Sequence, residues 1–330
     1  MSLLFSGINN RMIRFAFPVV LAMFASMSSA QDLTFINIGA GGLGGGYYAT
    51  AKALCAPINS TSRGKIRCSA EPTKGSIYNL KMLDQGELDF AFVQSDWQLA
   101  AYMGTGPFLG NAMPNLRSVM SLYPEMVTIL AGRDSGIHRS QDLQGKRIDI
   151  GLPSSGRHAT AKEILGRAGL NVDEFGFFSE LTIAQAVSGL CDGTIDATFF
   201  VVGHPSESVA RALAECEARI VAPTGPILTK VFSESPGFAA VEIAANTYSQ
   251  QRQDIKSYAV YATLVTRADV ASADVAIVVE STLKNMTALK GQAQLSNLTL
   301  DDMGTRGLSA PLHSASSDAL ENAKKKNSGD

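Results

Sequence analysis

The sequence predicts an α/β protein of two lobes, each a sheet flanked by helices, on two observations. Short apolar runs rich in β-branched residues alternate with amphipathic stretches along most of the chain. That pattern belongs to parallel strands covered by helices on both faces. The alternation runs through two cycles, and a cycle each suits a separate sheet in each lobe.

In the first cycle, Thr34 to Ile38 reads as a buried strand, followed by a glycine turn and a helix opening near Tyr47. Ile66 to Ala70 is the next strand, and Gly75 to Leu83 a helix with Ile77, Leu80 and Leu83 on one face. Asp89 to Val93 is a compact apolar strand before a helix from Asp96 to Tyr102. Leu116 to Tyr123 and Met126 to Ala131 read as two strands flanking Pro124. The second cycle has a strand at Arg147 to Ile150, the loop Gly151-Leu-Pro-Ser-Ser-Gly156 and a helix from Arg157 to Arg167. A strand from Thr194 to Val202 and a helix from Ser206 to Glu215 follow. Tyr258 to Thr266 is β-rich and apolar, and Ala273 to Leu289 is a helix carrying Val275, Val278, Val279, Leu283 and Met286. Lys324 to Asp330 reads as a frayed, solvated tail.

The chain starts with a secretory leader. Arg11 and Arg14 give a positive start, Phe15 to Met27 an apolar core, and Ser28-Ser29-Ala30 a small-residue cleavage site. The apolar core is short for a membrane span. The mature chain is expected to start at Gln31 and to be periplasmic, with Met1 or Met12 as the start of synthesis. The formal net charge is −2 and 18% of residues are charged, so no strong field favours nucleic acid or a membrane surface. Export also bears on the four cysteines. An even count favours disulfides, and sequence proximity favours Cys55–Cys68 and Cys191–Cys216 among three connectivities. Neither cysteine nor histidine spacing suits a metal.

Gly39, Gly41 and Gly44 match G-x-G-x-x-G, a dinucleotide fingerprint. That use needs an acid about 20 residues on to hold the ribose, and Asn59 to Ile66 contains none. No cofactor is expected. A small anion is the better guest, because helix starts offer unpaired N–H groups and partial positive charge. Three segments offer them: Gly44-Gly45-Gly46 with Tyr47 or Tyr48 as a wall, Thr73-Lys74-Gly75-Ser76, and Ser154-Ser155-Gly156-Arg157. Arg157 can grip a carboxylate with two parallel bonds and is expected to be the main charge partner. Thr73 and Ser155 serve as helix N-caps, as ligand donors or as both. Gln94 and Asp96 follow a buried strand, at the edge where α/β ligands sit; Asp96 is equally suited to capping its helix. Asn79 points into a cleft or into solvent. His204 ends an apolar strand, either as a structural hydrogen bonder or as a ligand contact.

Taken in order, these segments resemble a known family. The Gly-rich turn with Tyr47-Tyr48, Glu71-Pro-Thr-Lys-Gly-Ser76 with Asn79, Gly86-Glu-Leu-Asp89 and Val93-Gln-Ser-Asp96 come first. Asn115 to Tyr123, Asp142 to Arg147, Pro153-Ser-Ser-Gly156, Gly193 to Ala197, Gly203-His-Pro205 and Pro311-Leu-His313 follow. The set is similar to the TAXI family, solute-binding proteins of tripartite ATP-independent periplasmic (TRAP) transporters. The chain departs from the family pattern at Lys74 and at Ser314-Ala315-Ser316.

The resemblance implies a monomeric, non-enzymatic protein with a type II periplasmic-binding-protein fold and a hinge of two crossover strands. Lobe 1 would comprise residues 31–125 and 262–330, and lobe 2 residues 126–261. The guest would be a small anionic or zwitterionic solute such as glutamate, glutamine or 2-oxoglutarate, passed to a TRAP permease. The alternative is a secreted hydrolase using Ser155 and His158, which lacks an identifiable third orienting group.

Overall fold

The computed structural model describes residues 33–168, 177–235 and 237–328. The leader and its cleavage site lie outside the described residues. The first cycle folds as β1 (Thr34–Gly39), α1 (Gly46–Thr61), β2 (Ile66–Glu71), α2 (Ser76–Asp84), β3 (Phe90–Gln94), α3 (Ser95–Met103) and the long β4 (Leu116–Ala131). The second has β5 (Arg147–Asp149), α4 (Gly156–Arg167), β6 (Phe177–Ser179), α5 (Ile183–Asp192), β7 (Ala197–Val202) and α6 (Glu207–Glu215). It continues with β8 (Arg219–Val221), α7 (Pro226–Ser233) and β9 (Ala239–Ile243). The chain returns along β10 (Ile255–Arg267) to α8 (Ser272–Lys284), α9 (Met286–Leu289), α10 (Leu300–Thr305) and α11 (Ser314–Ser328).

Strand order is β2-β1-β3-β10-β4-β7-β5-β6, with β8 on β4 and β9 on β10. The outer groups are parallel, β1 with β2 and β3, and β5 with β6 and β7. The central pair is antiparallel and also antiparallel to its flanking strands. The ladder is therefore continuous, which corrects the expectation of two separate sheets. Continuity follows from length: β4 and β10 run far enough to pair with β3 at one end and with β7, β8 and β9 at the other. The break expected at Pro124 is also absent. Pro124 lies opposite Tyr261, and β7 joins β4 only from Met126 onward. The missing proline N–H thus faces a stretch of β4 where that neighbour makes no ladder bond.

The core divides although the ladder does not. Phe90 and Phe92 of β3 pack with Ile36, Leu54 and Val278 on one face, while Ala91 and Val93 pack with Leu80, Trp97 and Leu116 on the other. This is the alternation a pleated strand imposes when helices cover both faces. In β7, Phe199 and Val201 join Val127, Ile164 and Phe232, and Phe200 joins Val187, Leu213 and Tyr248 on the opposite face. Helices α8 and α11 return to the first of these cores through Val275, Val279 and Leu320. The C-terminal tail is accordingly helical to Ser328, not frayed, and Lys324 lies 2.8 Å from Asp301. Both expected disulfides are present: Cys55–Cys68 ties α1 to β2, and Cys191–Cys216 ties α5 to the end of α6.

Candidate functional site

A cavity of about 370 Å³ opens where the C-terminal ends of the parallel strands of both halves face each other. This is where α/β sheets place ligands, because each strand there gives way to a helix N-terminus. The turn at residues 41–46 after β1, residues 73–76 after β2 and Gln94 after β3 form one wall. Residues 155–157, residues 181–184 and Val201 form the other, and Glu125 of β4 lies between them. Gly45 is the N-cap of α1, Gly75 of α2 and Ser155 of α4. Gly75 has φ +105°, which a side chain would strain. Gly156 is required for a different reason. A Cβ there would lie 1.7 Å from Gln94 Oε1 and 2.6 Å from Ser76 Oγ, so the halves meet closely only because that position has no side chain.

Arg157 is 8% exposed and reaches across its own loop rather than into water. Its Nη2 donates to Asp149 Oδ2 at 2.5 Å and to the Leu181 carbonyl at 3.0 Å, and its guanidinium stacks 4.9 Å above the Phe200 ring. Asp149, fully buried, also accepts from Gly151 N, Leu181 N and Thr198 Oγ1. The arginine charge is thus compensated within the protein by Asp149. One donor is left over: Nη1 is buried and has no partner. Burial pulls the guanidinium pKa down, against the raising effect of Asp149. Across the cavity Gln94, 3% exposed, donates its backbone N–H to Ser76 Oγ at 3.1 Å but leaves its side-chain Nε2 buried and unpartnered. Buried N–H groups are normally paired, so two orphaned donors on opposite walls mark a place for an acceptor.

Of the other expected residues, Gly45, Tyr47, Thr73, Ser76, Ser155 and Gly156 line this cavity. Thr73 Oγ1 donates to the Ala40 carbonyl and accepts from Gly75 N, so it braces the loop before α2. Ser155 Oγ accepts from His158 N at 3.1 Å, the N-cap bond of α4. The His158 ring instead bonds Gly151 O through Nδ1 at 3.0 Å. Ser155 and His158 therefore meet through a backbone amide, and this is not the hydroxyl–imidazole contact a hydrolase nucleophile needs.

Five expected residues lie elsewhere. Asn79 is fully buried and donates to Ala40 O and Phe92 O, stitching α2 to the ends of β1 and β3. Tyr48 packs on the first core, with Lys52 Nζ 5.8 Å from its ring. Asp96 and Ser154 line a different cavity of about 610 Å³, on the far side of the contact between halves. Asp96 does not cap α3; that position is Gln94. Burial raises its pKa to about 7, against a lowering bond from Trp97 N. Ser154 has φ +67°, and its carbonyl accepts from Tyr78 N at 3.0 Å across the halves. His204 has both ring nitrogens engaged, Nε2 with Thr128 Oγ1 at 2.8 Å and Nδ1 with Tyr248 Oη at 2.6 Å. Its burial holds its pKa down at about 4.

Sequence reading missed Glu125 and Asp149. Each was legible as a lone acid inside an apolar run. Glu125 was hidden by the expected break at Pro124, and Asp149 by its place in a short strand. Glu125 is 5% exposed and accepts from Tyr47 Oη at 2.5 Å. Burial raises its pKa to about 8; the Tyr47 bond opposes this and the Asp96 charge adds to it. Among the described residues no group of acids, histidines and cysteines is placed to hold a metal ion, and no helix is long and apolar enough to cross a membrane.

The architecture is shared with solved proteins. The periplasmic binding protein BugD superimposes with a TM-score of 0.53 at 11% identity, covering 90% of this chain and 98% of its own. A protein from Bordetella bronchiseptica RB50 gives 0.51 at 13% identity, over 88% and 90% of the two chains. The alkanesulfonate-binding protein SsuA from Xanthomonas axonopodis pv. citri, bound to MOPS, is 15% identical over 88% and 84%, with a TM-score of 0.46. The fold is that of the periplasmic binding proteins. Residues 38–321 match the model of the NMT1-like family, and the chain belongs to that family.

Proposed function

We propose that the chain is an exported solute-binding protein that closes its two lobes on a small carboxylate-bearing solute. The observation that carries this reading is the pair of buried, unpartnered donors, Gln94 Nε2 and Arg157 Nη1, on opposite walls of one cavity. A carboxylate between them satisfies both, and three helix N-termini add their field. The lobes are residues 31–125 with 262–330, and residues 126–261, and β4 and β10 form the hinge. The leader is removed after Ala30 and the mature protein is a periplasmic monomer. The resemblance to the TAXI family supports a TRAP permease as the receiving partner, with glutamate, glutamine and 2-oxoglutarate as the first solutes to test.

A thermal-shift screen of the mature protein against amino acids and small carboxylates tests the reading. A solute at 100 times its dissociation constant adds about 2.7 kcal/mol of stability. Flat melting curves across the whole panel would refute it. Co-purification with the membrane subunits of a TRAP permease tests the partner separately.

A further inference from the structure

The cavity has two chemically different ends. The end at Gln94 and Arg157 presents two buried, unpartnered donors, Nε2 and Nη1. The other end has Glu125 and Tyr47, which spends its proton on Glu125, while Tyr123, whose buried hydroxyl has no partner, stands in the adjoining chamber. Glu125 stands at a junction, because it lines both the main cavity and a side chamber of about 180 Å³ that Tyr123 and Gln294 also line. No ion pair to Glu125 occurs among the described residues. A buried carboxylate without a cation is costly, and an acceptor-rich pocket is completed by a donor.

We infer that Glu125 is the specificity-determining residue of the cleft, selecting solutes that carry an ammonium group as well as a carboxylate. This inference rests on the solute-binding reading above. The solute's carboxylate sits against Gln94 and Arg157, and its ammonium turns toward Glu125, Tyr47 and Tyr123. The groups that face Glu125 are Tyr47 from α1, Tyr123 from its own strand and, through its charge, Asp96 from α3; Arg157 and Lys74 lie on the same cavity. None but the last two is a cation. In the empty cleft Glu125 keeps its proton at neutral pH. An incoming ammonium favours the carboxylate, so binding releases up to one proton to solvent.

The test is isothermal titration calorimetry on the mature protein with matched pairs: each L-amino acid and the same skeleton without the amino group, such as L-glutamate with glutarate. Wild type and Glu125→Gln are compared, and melting temperatures confirm that the variant folds. We expect an amino acid to bind the wild type at least about tenfold more tightly than its deaminated partner. Glu125→Gln should erase most of that preference. If the variant does not fold, wild-type titrations in buffers of different ionisation heat decide alone, because they count the released proton. A deaminated acid that binds as well as its amino counterpart, or a preference that survives in Glu125→Gln, overturns the role of Glu125 and leaves the cleft reading standing. If neither member of any pair binds, the solute-binding reading fails and this inference fails with it.

Discussion

The indole Nε1 of Trp97 lies 3.1 Å from the carbonyl oxygen of Gly156, and so joins α3 of one half to the first turn of α4 in the other. The same N–H is 3.0 Å from Thr160 Oγ1, which in turn donates to Asp96 Oδ2 at 3.3 Å. With the bond from Tyr78 N to Ser154 O, this contact seals the back of the cleft while leaving the solute cavity on the other side of Gly156. The contact between the halves thus combines polar bonds at helix starts with packing of Trp97 and Ala159 in one apolar cluster.

Trp97 is the chain's single tryptophan, so its emission reports this contact alone. A saturating solute should shift the emission maximum or intensity, with a midpoint equal to the calorimetric dissociation constant. A Trp97→Phe variant keeps the ring packing but loses the donor, and should bind about fivefold more weakly. Tryptophan emission that ignores a bound solute would show that the contact neither opens nor closes.

Gly156→Ala should separate folding from closure. Alanine suits a helix start, yet its Cβ would overlap Gln94 Oε1 and Ser76 Oγ from the opposite half. The variant is expected to melt within a few degrees of wild type and to lose solute binding. Binding of wild-type strength would mean that the two walls do not meet in the bound form.

Arg157 and Gln94 should differ in what their loss costs. Arg157→Ala leaves Asp149 buried without its ion pair, and breaking such a pair costs roughly 3–5 kcal/mol of stability. It should also weaken the solute by about 2–5 kcal/mol, thirtyfold or more. Gln94→Ala removes only an unpaired donor, so stability should hold while affinity falls by about 1 kcal/mol. Denaturant midpoints and calorimetry on both variants check the contrast. If Arg157→Ala loses stability but not affinity, the arginine serves the fold alone.

The stability of the protein should depend on pH through Glu125 in a direction unusual for a carboxyl. Its folded pKa is about 8 against an ordinary value of 4.5, so between those values the folded state holds a proton that the unfolded chain releases. Stability is then lost as pH rises through this window, by up to about 1.4 kcal/mol per unit. Glu125→Gln does not titrate and should gain on wild type from pH 4.5 upward, with the gap constant above about 8. His204 works in the opposite sense. Held at about 4 against 6.5, it removes stability as pH falls from 6.5 toward 4. Denaturant unfolding of wild type and Glu125→Gln across this range isolates the first effect; a gap that does not grow would place the Glu125 carboxylate in contact with water.

Local chemistry was enough to write most of the strands, though not the short β6, β8 and β9, together with the disulfide partners and the three glycine-bearing helix starts. Apolar period, cysteine proximity and turn residues are properties of neighbours along the chain. Tertiary structure alone decided which of the polar residues reach the cleft. Asn79 and His204 look as available in sequence as Gln94, yet the Asn79 amide nitrogen is consumed by the carbonyls of Ala40 and Phe92, and both His204 ring nitrogens are engaged by Thr128 and Tyr248. Glu125 was passed over because Pro124 beside it suggested a break between two strands, whereas the sheet accommodates that proline where one neighbouring ladder has not begun. Sequence offers Arg157 as a charge partner for a solute, and the structure adds an ion pair with Asp149, eight residues away in chain but 2.5 Å away in space. A residue type names the bonds a side chain is able to make, and only its packed surroundings determine which of them remain for a solute.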